Sequence, residues 1–462
     1  MLETMRNAWK IEDIRKKLQF TLVILLLYRI GNSIPVPYVD TAMLGLYFQQ
    51  MGNTVLGLWN TMSGGAFSQA TIFALSIQPY INASIIIQLL TIAIPALERL
   101  AKEGGEEGKK KIASITRYST VLIALIQGWA YYMLIKNQGM LTADGSGIWA
   151  AIVIIMTFTA GSAIIMWLGE QITEFGVGNG ISIILFASIV SRFPTAIGTM
   201  ATNLVNWTKI RSGELTLEAL TAAGYSAESA EYVMNTALHP ALLVVMLLGA
   251  LAMVVLIILV NDAERRIPVH YAKRVVGRKM YGGQSTNLPL KVNMSGVLPV
   301  IFAQSVASLP ATICMLCGVT QDSEGFWGGF LRVFNSSSVL YAVVYLALIV
   351  FFAYFYSTIQ FNPVEVANNL KKNGGVIPGI RQGRPTGEYL SKVLNKVTLF
   401  GAIFLAIVAV SPIVISIFST AAANSGLALG GTSIIIVVGV ALETVRAIEA
   451  QMLMRNYKGF LD

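Results

Sequence analysis

Few side chains in this sequence have the types and spacing that metal binding or redox chemistry requires. Cys314 and Cys317 form a C-x-x-C motif, and His239 and His270 are the only histidines. A structural zinc site needs a second pair of ligands, and a thioredoxin-like redox motif needs a strand–helix–strand context; neither accompanies these cysteines. We therefore predict no metal site and expect both cysteines to be small, buried residues of a helix.

Two glycine-rich segments resemble phosphate-binding loops, but their context differs. FGVGNG at 175–180 follows an apolar stretch long enough to be a membrane helix, whereas the dinucleotide-binding fingerprint follows a β-strand. EGGEEGKKK at 103–111 is not a P-loop, because Gly108 has no glycine five positions before it. We predict no nucleotide site, no cofactor and no catalytic residue; Asn179 is a candidate N-cap of the following helix.

The composition indicates a membrane protein. Of 462 residues, 55% are apolar and 12% are charged, and the mean hydropathy is +0.65. A helix needs about 20 residues to cross a hydrocarbon core of about 30 Å. Ten largely apolar stretches of about this length predict an all-α polytopic fold, and they lie at 18–34, 76–93, 115–136, 148–169, 179–195, 239–260, 293–317, 337–360, 394–418 and 430–451.

Basic residues predict the orientation of these spans, because Lys and Arg near helix ends remain on the cytoplasmic side. Most of the 33 Lys and Arg residues lie in segments on one side, which includes both termini. We therefore expect both termini in the cytoplasm, and we interpret the net charge of +9 as a topology signal rather than as evidence for sequence-specific nucleic-acid binding. The exceptions are Arg29, Lys136, Arg192, Lys209, Arg211 and Arg332.

The first span could alternatively be a cleavable signal peptide, because its purely apolar run from Leu18 to Tyr28 is short. The preceding segment contains Glu12 and Asp13, however, and RIGNS at 29–33 does not have the form of a cleavage site. We therefore expect a retained membrane helix.

The chain divides at a polar outer stretch, 196–238, into an N-terminal half, 1–195, and a C-terminal half, 239–462. Each half contains an odd number of predicted spans, so a structural repeat relating them must be inverted in the membrane. Inverted repeats place functional sites between the halves, near the membrane midplane.

Ionisable residues are scarce at that depth. Glu443 and Arg446 lie three residues apart near the cytoplasmic end of the last span, where we expect them to pair with each other. The remaining polar residues at the centre are uncharged: Asn82, Ser84, Gln88, Asn293, Ser295, Gln304, Ser305 and Ser308. The first three interrupt the second span, SIQPYINASIIIQLL at 76–90.

Two other function classes are alternatives at this point. A secondary transporter would also have broken helices and inverted repeats, but it generally needs ionisable groups at depth. An intramembrane enzyme would need a nucleophile with a base, or a metal cluster, inside the membrane. The sequence pattern favours neither class.

Two cytoplasmic loops, 261–291 and 361–391, are longer than a connection between helices requires. Both are basic, with glycine, proline and apolar residues interleaved. Two interpretations explain this composition about equally well. Either the loops are simply solvated and obey the positive-inside rule, or they form a docking surface for a large anionic or acidic partner.

Seven motifs are distributed along the whole chain. They are RIGNSIPVP at 29–37, SGGAFSQATIFALSIQPYINASIIIQLL at 63–90, GNGISI at 178–183, ERRIPVHYAKR at 264–274, STNLPLKVNMSGVLPVIFA at 285–303, GGVIPGIRQGRPT at 374–386 and GGTSIIIVV at 430–438. Together they resemble the patterns of the SecY family, the channel subunits of the bacterial Sec protein translocon. Small departures are His270, where the family pattern has glutamine, and Gln382, where it has proline.

The resemblance implies ten helices in two inverted five-helix halves around an hourglass pore in the bacterial cytoplasmic membrane. The pore would pass unfolded secretory chains outward and release membrane helices sideways. An apolar ring would seal the pore by dewetting. Helix five would contribute a further ring residue from IILFASIV at 183–190, and the family pattern does not identify which one. The implied ring residues are Ile81, Ile85, Ile301 and Ile436. The implied plug, at about 60–75, includes Ser63, Gly64, Gly65, Ala66, Phe67 and Ser68.

The same resemblance implies a lateral gate and a set of partners. Helices two, three, seven and eight would form the gate, with Asn82, Gln88 and Asn293 as its polar residues. The partners would be the small membrane subunits SecE and SecG, the SecA motor ATPase, the ribosome, nascent chains that carry signal peptides, and the lipid bilayer. Docking of the motor or ribosome is expected at Arg265, Arg266, Arg274 and Arg381.

Overall fold

A computed structural model gives the architecture of the chain. It describes residues 2–50, 55–213, 215–216, 233–234, 237, 239–271, 274–276, 279–281, 285–316, 325–334, 338–418 and 431–458. Cys317 and most of the predicted outer stretch beyond Gly213 lie outside these described residues.

Helices form most of the described chain. From the N-terminus through the start of the outer stretch they are α1 Leu2–Lys10, α2 Glu12–Gly31, α3 Thr41–Gln50, α4 Val55–Met62, α5 Gln78–Ala93, α6 Pro95–Lys102, α7 Gly105–Asn137, α8 Ile148–Phe175, α9 Gly180–Val190 and α10 Phe193–Arg211. In the second half they are α11 Pro240–Asp262, α12 Leu298–Leu316, α13 Phe326–Val333, α14 Val339–Gln360, α15 Pro363–Lys372, α16 Arg384–Phe418 and α17 Gly431–Lys458.

Each predicted span overlaps one of these helices. By length and composition, six described helical segments can cross a membrane, or seven if the bent pair α5 and α6 is one span. Within α12 the stretch Leu298–Ala311 is a shorter apolar helix, and α2 carries charged residues at its N-terminal end. Five helices extend well beyond their predicted limits. At the N-terminal end α2 begins at Glu12, α7 at Gly105 and α16 at Arg384, and at the C-terminal end α8 continues to Phe175 and α17 to Lys458. The predicted outer stretch begins with a helix, α10.

The axis of α5 turns by 105° into α6 at Pro95. Proline disfavours the helical conformation of the residue before it, and Ile94 is accordingly extended, with φ −107° and ψ 112°. The apolar segment therefore ends at this bend, and the charged α6 leaves in another direction.

The two halves contact each other along two seams. On one side α12 packs against α5 and α7 of the first half, and on the other α17 packs against α9 and α2. A single cluster of buried apolar side chains extends across both halves. Near the N-terminus, α1 also packs on α17, where the Thr4 hydroxyl donates to the Glu449 carboxylate at 3.1 Å.

The two long loops form a small β-sheet that the all-α expectation does not include. Strand β1 Glu264–Tyr271 pairs antiparallel with β4 Ser285–Lys291 on one side and with β5 Gly375–Val376 on the other. A separate hairpin consists of β2 Arg274–Val276 and β3 Lys279–Tyr281. Alternate residues Ile267 and Val269 are buried against α15 and α16 residues, a period-2 pattern typical of a strand.

Candidate functional site

The isoleucines predicted for the pore ring are all buried in the cluster that joins the two halves. Their exposed fractions are 3% for Ile81, 4% for Ile85, 2% for Ile301 and 1% for Ile436. Ile81 and Ile85 lie one turn apart on α5, and α12, which carries Ile301, packs directly on that helix. Helices from both halves therefore contribute branched apolar side chains to one region.

Helix α9 contributes Ile184 and Leu185 to this cluster, and their side chains face different neighbours. Ile184 packs against Gly169 of α8, so it faces the first half's own interior. Leu185 lies instead beside a small cavity, together with Ser63 and Phe67 from the predicted plug segment. Of these two neighbouring residues, Leu185 is the one that faces the predicted plug segment.

The cavity beside Leu185 is polar on one side. The volume within which the centre of a water molecule can move is about 10 Å³. One bound water requires roughly this much space. Trp59 Nε1, Ser76 Oγ and Gln78 Nε2 are buried there without a hydrogen-bond partner among the described residues. Buried polar atoms of this kind normally bind an ordered water, so the cavity is suited to hold one.

Residues 63–68 form consecutive turns that are hydrogen-bonded to α4. The Ser63 hydroxyl donates to Asn60 O at 3.1 Å and accepts from Phe67 N at 3.0 Å. The Asn60 side chain accepts from Ser68 N at 3.0 Å. Asn60, which the sequence analysis missed, therefore organises this segment from its N-terminal side.

Gly64 fits closely against the C-terminal end of α9. Its φ is +70°, and a β-carbon at this position would lie 2.9 Å from both Ser188 O and Ser191 Oγ. Gly65 also has a positive φ, +90°, but a β-carbon there would meet no atom within 4 Å. Of these two glycines, only Gly64 therefore combines a left-handed backbone with direct contact against another element.

Aromatic rings surround Phe67. Its ring stacks on Tyr131 of α7 with 4.2 Å between centroids, and it meets the edges of Phe48 at 5.2 Å and Trp59 at 5.9 Å. The Tyr131 hydroxyl also donates to the Phe67 carbonyl oxygen. Aromatic pairs in such geometries stabilise by roughly 0.5–1.5 kcal/mol beyond the area that they bury. These contacts hold the segment in the first half.

Two arginines and a tyrosine lie beside the C-terminal end of α9. Arg29 donates to Ser191 Oγ at 3.2 Å, and Arg192 donates to Thr61 Oγ1 at 3.5 Å. The Tyr28 hydroxyl is hydrogen-bonded to Ser188 Oγ at 2.7 Å. Arg29 and Arg192 are two of the basic residues that did not follow the side preference, and here they connect α2, α4 and α9.

Gln88 forms a direct polar link between the two halves. Its side-chain oxygen accepts a hydrogen bond from the Tyr356 hydroxyl of α14, and its nitrogen donates to Ser84 Oγ at 3.3 Å. Phe302 of α12 packs on the Tyr356 ring, with 5.2 Å between centroids. Tyr356 was absent from the predicted gate residues, because nothing in its local sequence indicates a partner on α5.

The two other predicted gate residues have different surroundings. Asn82 is buried on α5, with an exposed fraction of 8%. Asn293 precedes α12 and donates to Asn261 Oδ1 at 2.8 Å and to Gly296 O at 3.1 Å, so its hydrogen bonds lie within the second half. Of the predicted trio, Gln88 is the residue that the structure hydrogen-bonds across the seam.

The predicted pairing of Glu443 with Arg446 is replaced by another. The Arg446 guanidinium forms an ion pair with Asp262 and donates to Asn261 O at 3.1 Å. Both partners end α11, which packs against α17. The spacing of Glu443 and Arg446 along α17 would allow an ion pair. At the end of α11, however, Arg446 binds a carboxylate and a backbone carbonyl at the same time.

The basic residues predicted for docking lie on the sheet and its neighbouring loop. Arg265 and Arg266 are exposed on β1, where Arg266 pairs with Glu264 at 2.6 Å. Arg381 is exposed, and its carbonyl accepts from the Thr386 hydroxyl at 2.7 Å. Arg274 belongs to β2, but its side chain lies outside the described part. Strand pairing of β1 with β5 therefore brings the two loops onto one surface.

The remaining candidates follow their predicted environments where they are described. Asn179 caps α9 through its side-chain oxygen, which accepts from Ile181 N at 3.1 Å. Cys314 is buried on α12. The Gln382 side chain donates to Gly375 O at 3.3 Å, so this departure from the family pattern has a local role in closing the loop. Across the described ranges, no group of three or more His, Cys, Asp or Glu residues could hold a metal ion.

Comparisons with known proteins identify relatives of the whole chain. The SecY family model matches residues 71–445. Protein translocase subunit SecY of Streptomyces scabiei is 43% identical over 473 residues, covering 100% of both chains, and that of Corynebacterium glutamicum is 41% identical, covering 98% of this chain and 99% of the relative.

Solved structures share the fold at low sequence identity. A protein-conducting channel superimposes with a TM-score of 0.61 at 15% identity and covers 95% of this chain and 93% of its own. A SecY structure described in terms of a plug domain that stabilises the closed state gives a TM-score of 0.60 at 17% identity, covering 95% and 92%. Sec61 in a canine ribosome-channel complex gives 0.58 at 16% identity, covering 95% and 93%.

Proposed function

We propose, from the premise that this chain belongs to the SecY family of protein translocase subunits, a role for each part of its protein-conducting channel. The observation that carries the proposal is the cluster of buried apolar side chains contributed by helices of both halves, with residues 63–68 against its outer side. The halves, 1–195 and 239–462, separate along this cluster when a polypeptide passes.

The central seal consists of Ile81, Ile85, Ile301 and Ile436, with Leu185 as the member from α9. A pore that accepts chains of any sequence cannot depend on specific side-chain contacts. Apolar, branched side chains exclude water and ions by dewetting, and they deform around a passing chain without binding it tightly. No catalytic group is needed for this task, and we propose that the chain itself is not an enzyme.

The plug is the segment at about 60–75, with Ser63, Gly64, Gly65, Ala66, Phe67 and Ser68 at its centre. Its hydrogen bonds to neighbouring elements join mostly neutral groups, among them the bonds from the Tyr131 hydroxyl to Phe67 O, from Asn32 Nδ2 to Ser63 O and from Val36 N to Ala70 O. Each such hydrogen bond contributes only about 0.5–1.5 kcal/mol net, so the segment can be displaced as a unit by a translocating chain.

The lateral gate lies between α5 and α7 on one side and α12 and α14 on the other. Asn82 and Asn293 lie along this seam or close to it, and Gln88 with Tyr356 closes it by one hydrogen bond. A buried donor or acceptor left unpaired costs about 1–3 kcal/mol, so this link favours the closed gate until a hydrophobic segment enters between the helices.

The sheet and the loop at Arg381 form the docking surface, with Arg265, Arg266 and Arg274. We propose that it faces the cytoplasm, that both termini lie on the same side, and that the membrane is the bacterial cytoplasmic membrane. A motor ATPase of the SecA type or a ribosome supplies the energy, and small subunits of the SecE and SecG type stabilise the halves. A structural neighbour, Sec61, forms a ribosome-channel complex.

The proposal is tested with proteoliposomes that contain this chain, its co-purifying small membrane subunits and the motor ATPase, using a protease-protected secretory precursor as the readout. Arg381→Glu is expected to abolish transport while the protein remains folded in the membrane. Arg384→Glu is the matched control, because this neighbouring side chain is 92% exposed and its partner is Glu388 of the same helix. Equal transport by the two variants would exclude the docking role of Arg381.

A further inference from the structure

The short helix α13 has an exposed face that is apolar. The exposed fractions are 77% for Phe326, 57% for Trp327 and 48% for Val333, whereas Gly328 and Leu331 are buried. The exposed side of a helix at a water surface is normally polar. Here the apolar residues lie on the side that no described part of the protein covers.

The aromatic rings of this helix form a continuous patch. Ring centroids lie 5.6 Å apart for Phe326 and Trp327, 6.1 Å for Trp327 and Phe330, and 4.5 Å for Phe330 and Phe334. Tryptophan is enriched at the boundary between hydrocarbon and water, because its ring is apolar and its N–H group needs a polar partner. The composition of the patch therefore fits a membrane surface.

Two contacts fix α13 relative to the membrane spans. Helix α13 packs against α12, and the Ser338 hydroxyl donates to Val333 O while accepting from Tyr341 N of α14 at 3.1 Å. Since α12 follows β4 and α14 leads towards β5, α13 joins the ends of these two helices that lie away from the sheet. It is therefore on the opposite side of the membrane from the docking loops.

The lipid-facing surface of the spans continues onto this patch. Ile313 near the end of α12 is 55% exposed, and Val339 and Val343 at the start of α14 are 66% and 58% exposed. These side chains belong to spans, where exposed apolar residues contact lipid. A helix attached between them by short connections lies at the level where the spans leave the hydrocarbon.

We propose that α13 is an interfacial anchor, with the face formed by Phe326, Trp327, Phe330 and Val333 inserted into the outer leaflet of the bilayer. Amphipathic helices of this kind bury their apolar face about 5–10 Å into the boundary between headgroups and acyl chains. Through its contacts with α12 and α14, the anchor holds the outer ends of both helices at the membrane surface. The inference concerns a lipid contact and does not depend on the channel assignment.

Spin labels test the environment of this face. In a Cys314→Ala, Cys317→Ala background, labelled Phe326→Cys and Val333→Cys are compared with Asn287→Cys, which is exposed on β4, and with Val343→Cys on the lipid-facing side of α14. The protein is reconstituted with its small subunits in phosphatidylethanolamine and phosphatidylglycerol vesicles. Collision rates are measured with oxygen, which concentrates in lipid, and with a water-soluble nickel chelate.

The expected ratio of oxygen to nickel collisions at Phe326→Cys and Val333→Cys is several times that at Asn287→Cys and below that at Val343→Cys, because the face lies at the interface. A ratio equal to that of Asn287→Cys would mean that the face is in water. Protection from both reagents would mean that a protein, either another subunit or a second copy of this chain, covers it. Either result would overturn the anchor.

Discussion

Replacing Gly64 with alanine should open the resting channel, and Gly65→Ala is the matched control. Both glycines have a positive φ, +70° and +90°, so alanine suffers the same kind of backbone strain at either position. Only at Gly64 would the new methyl group also lie 2.9 Å from Ser188 O and 2.9 Å from Ser191 Oγ. The comparison therefore separates contact with α9 from backbone strain.

The magnitude follows from two contributions. A left-handed conformation costs an L-residue roughly 1–2 kcal/mol, and this cost is common to the two variants. A methyl group forced against packed atoms typically costs a further 1–3 kcal/mol or so, and the carbonyl of Ser188 belongs to a helix and cannot move away freely. Displacing the plug relieves both costs. Gly64→Ala should thus lower the ratio of closed to open channels by about 5- to 150-fold more than Gly65→Ala.

Ion leak through the resting channel measures this ratio. Each variant is reconstituted with the proposed small subunits of the SecE and SecG type, and its conductance in planar bilayers is recorded without motor or substrate. Transport of a secretory precursor by the same preparations shows that the proteins are folded. Equal leak by the two alanine variants, or a Gly64→Ala channel as tight as the parent, would refute the assigned contact between the plug and α9.

Three further predictions concern the gate, the seal and one ion pair. Tyr356→Phe leaves the Gln88 oxygen unpaired, which should weaken the closed gate by about 1–3 kcal/mol and increase export of a precursor with a weak signal sequence; unchanged export would argue against the link. Ile81→Gly combined with Ile85→Gly should raise resting conductance, and an unchanged conductance would contradict the seal. Asp262→Asn should lower the unfolding free energy by about 1 kcal/mol or less, since the pair is partly exposed; a larger loss in thermal denaturation would contradict this estimate.

The sequence was sufficient to predict the number and order of the membrane helices, because hydropathy is a local property of about 20 consecutive residues. It also predicted that Ile81, Ile85, Ile301 and Ile436 belong together, although this came from the family resemblance rather than from spacing. Their burial in one cluster agrees with that grouping. Their role as a seal is still a prediction.

The sheet could have been found from local signals. Ile267 and Val269 alternate with exposed residues on β1, and this period-2 pattern lies within a loop that was interpreted only by its charge. The pairing of β1 with β5 could not have been found in this way, since it joins two loops about a hundred residues apart in the sequence.

Polar contacts between helices depended wholly on the tertiary structure. Gln88 and Tyr356 are 268 positions apart, and the partner of Arg446 lies 184 positions away rather than on its own helix turn. Helix periodicity identifies which residues share a face of one helix. It does not identify which neighbouring helix packs against that face.

The sequence by itself therefore determined that this protein spans a membrane and which family it resembles, because hydropathy and motifs are properties of contiguous residues. Only the tertiary structure decided that Leu185 lies beside Ser63 and Phe67, that Gly64 contacts the end of α9 and that Gln88 is hydrogen-bonded to α14. Those contacts arise from the relative rotation and depth of packed helices, which no local pattern in the chain specifies.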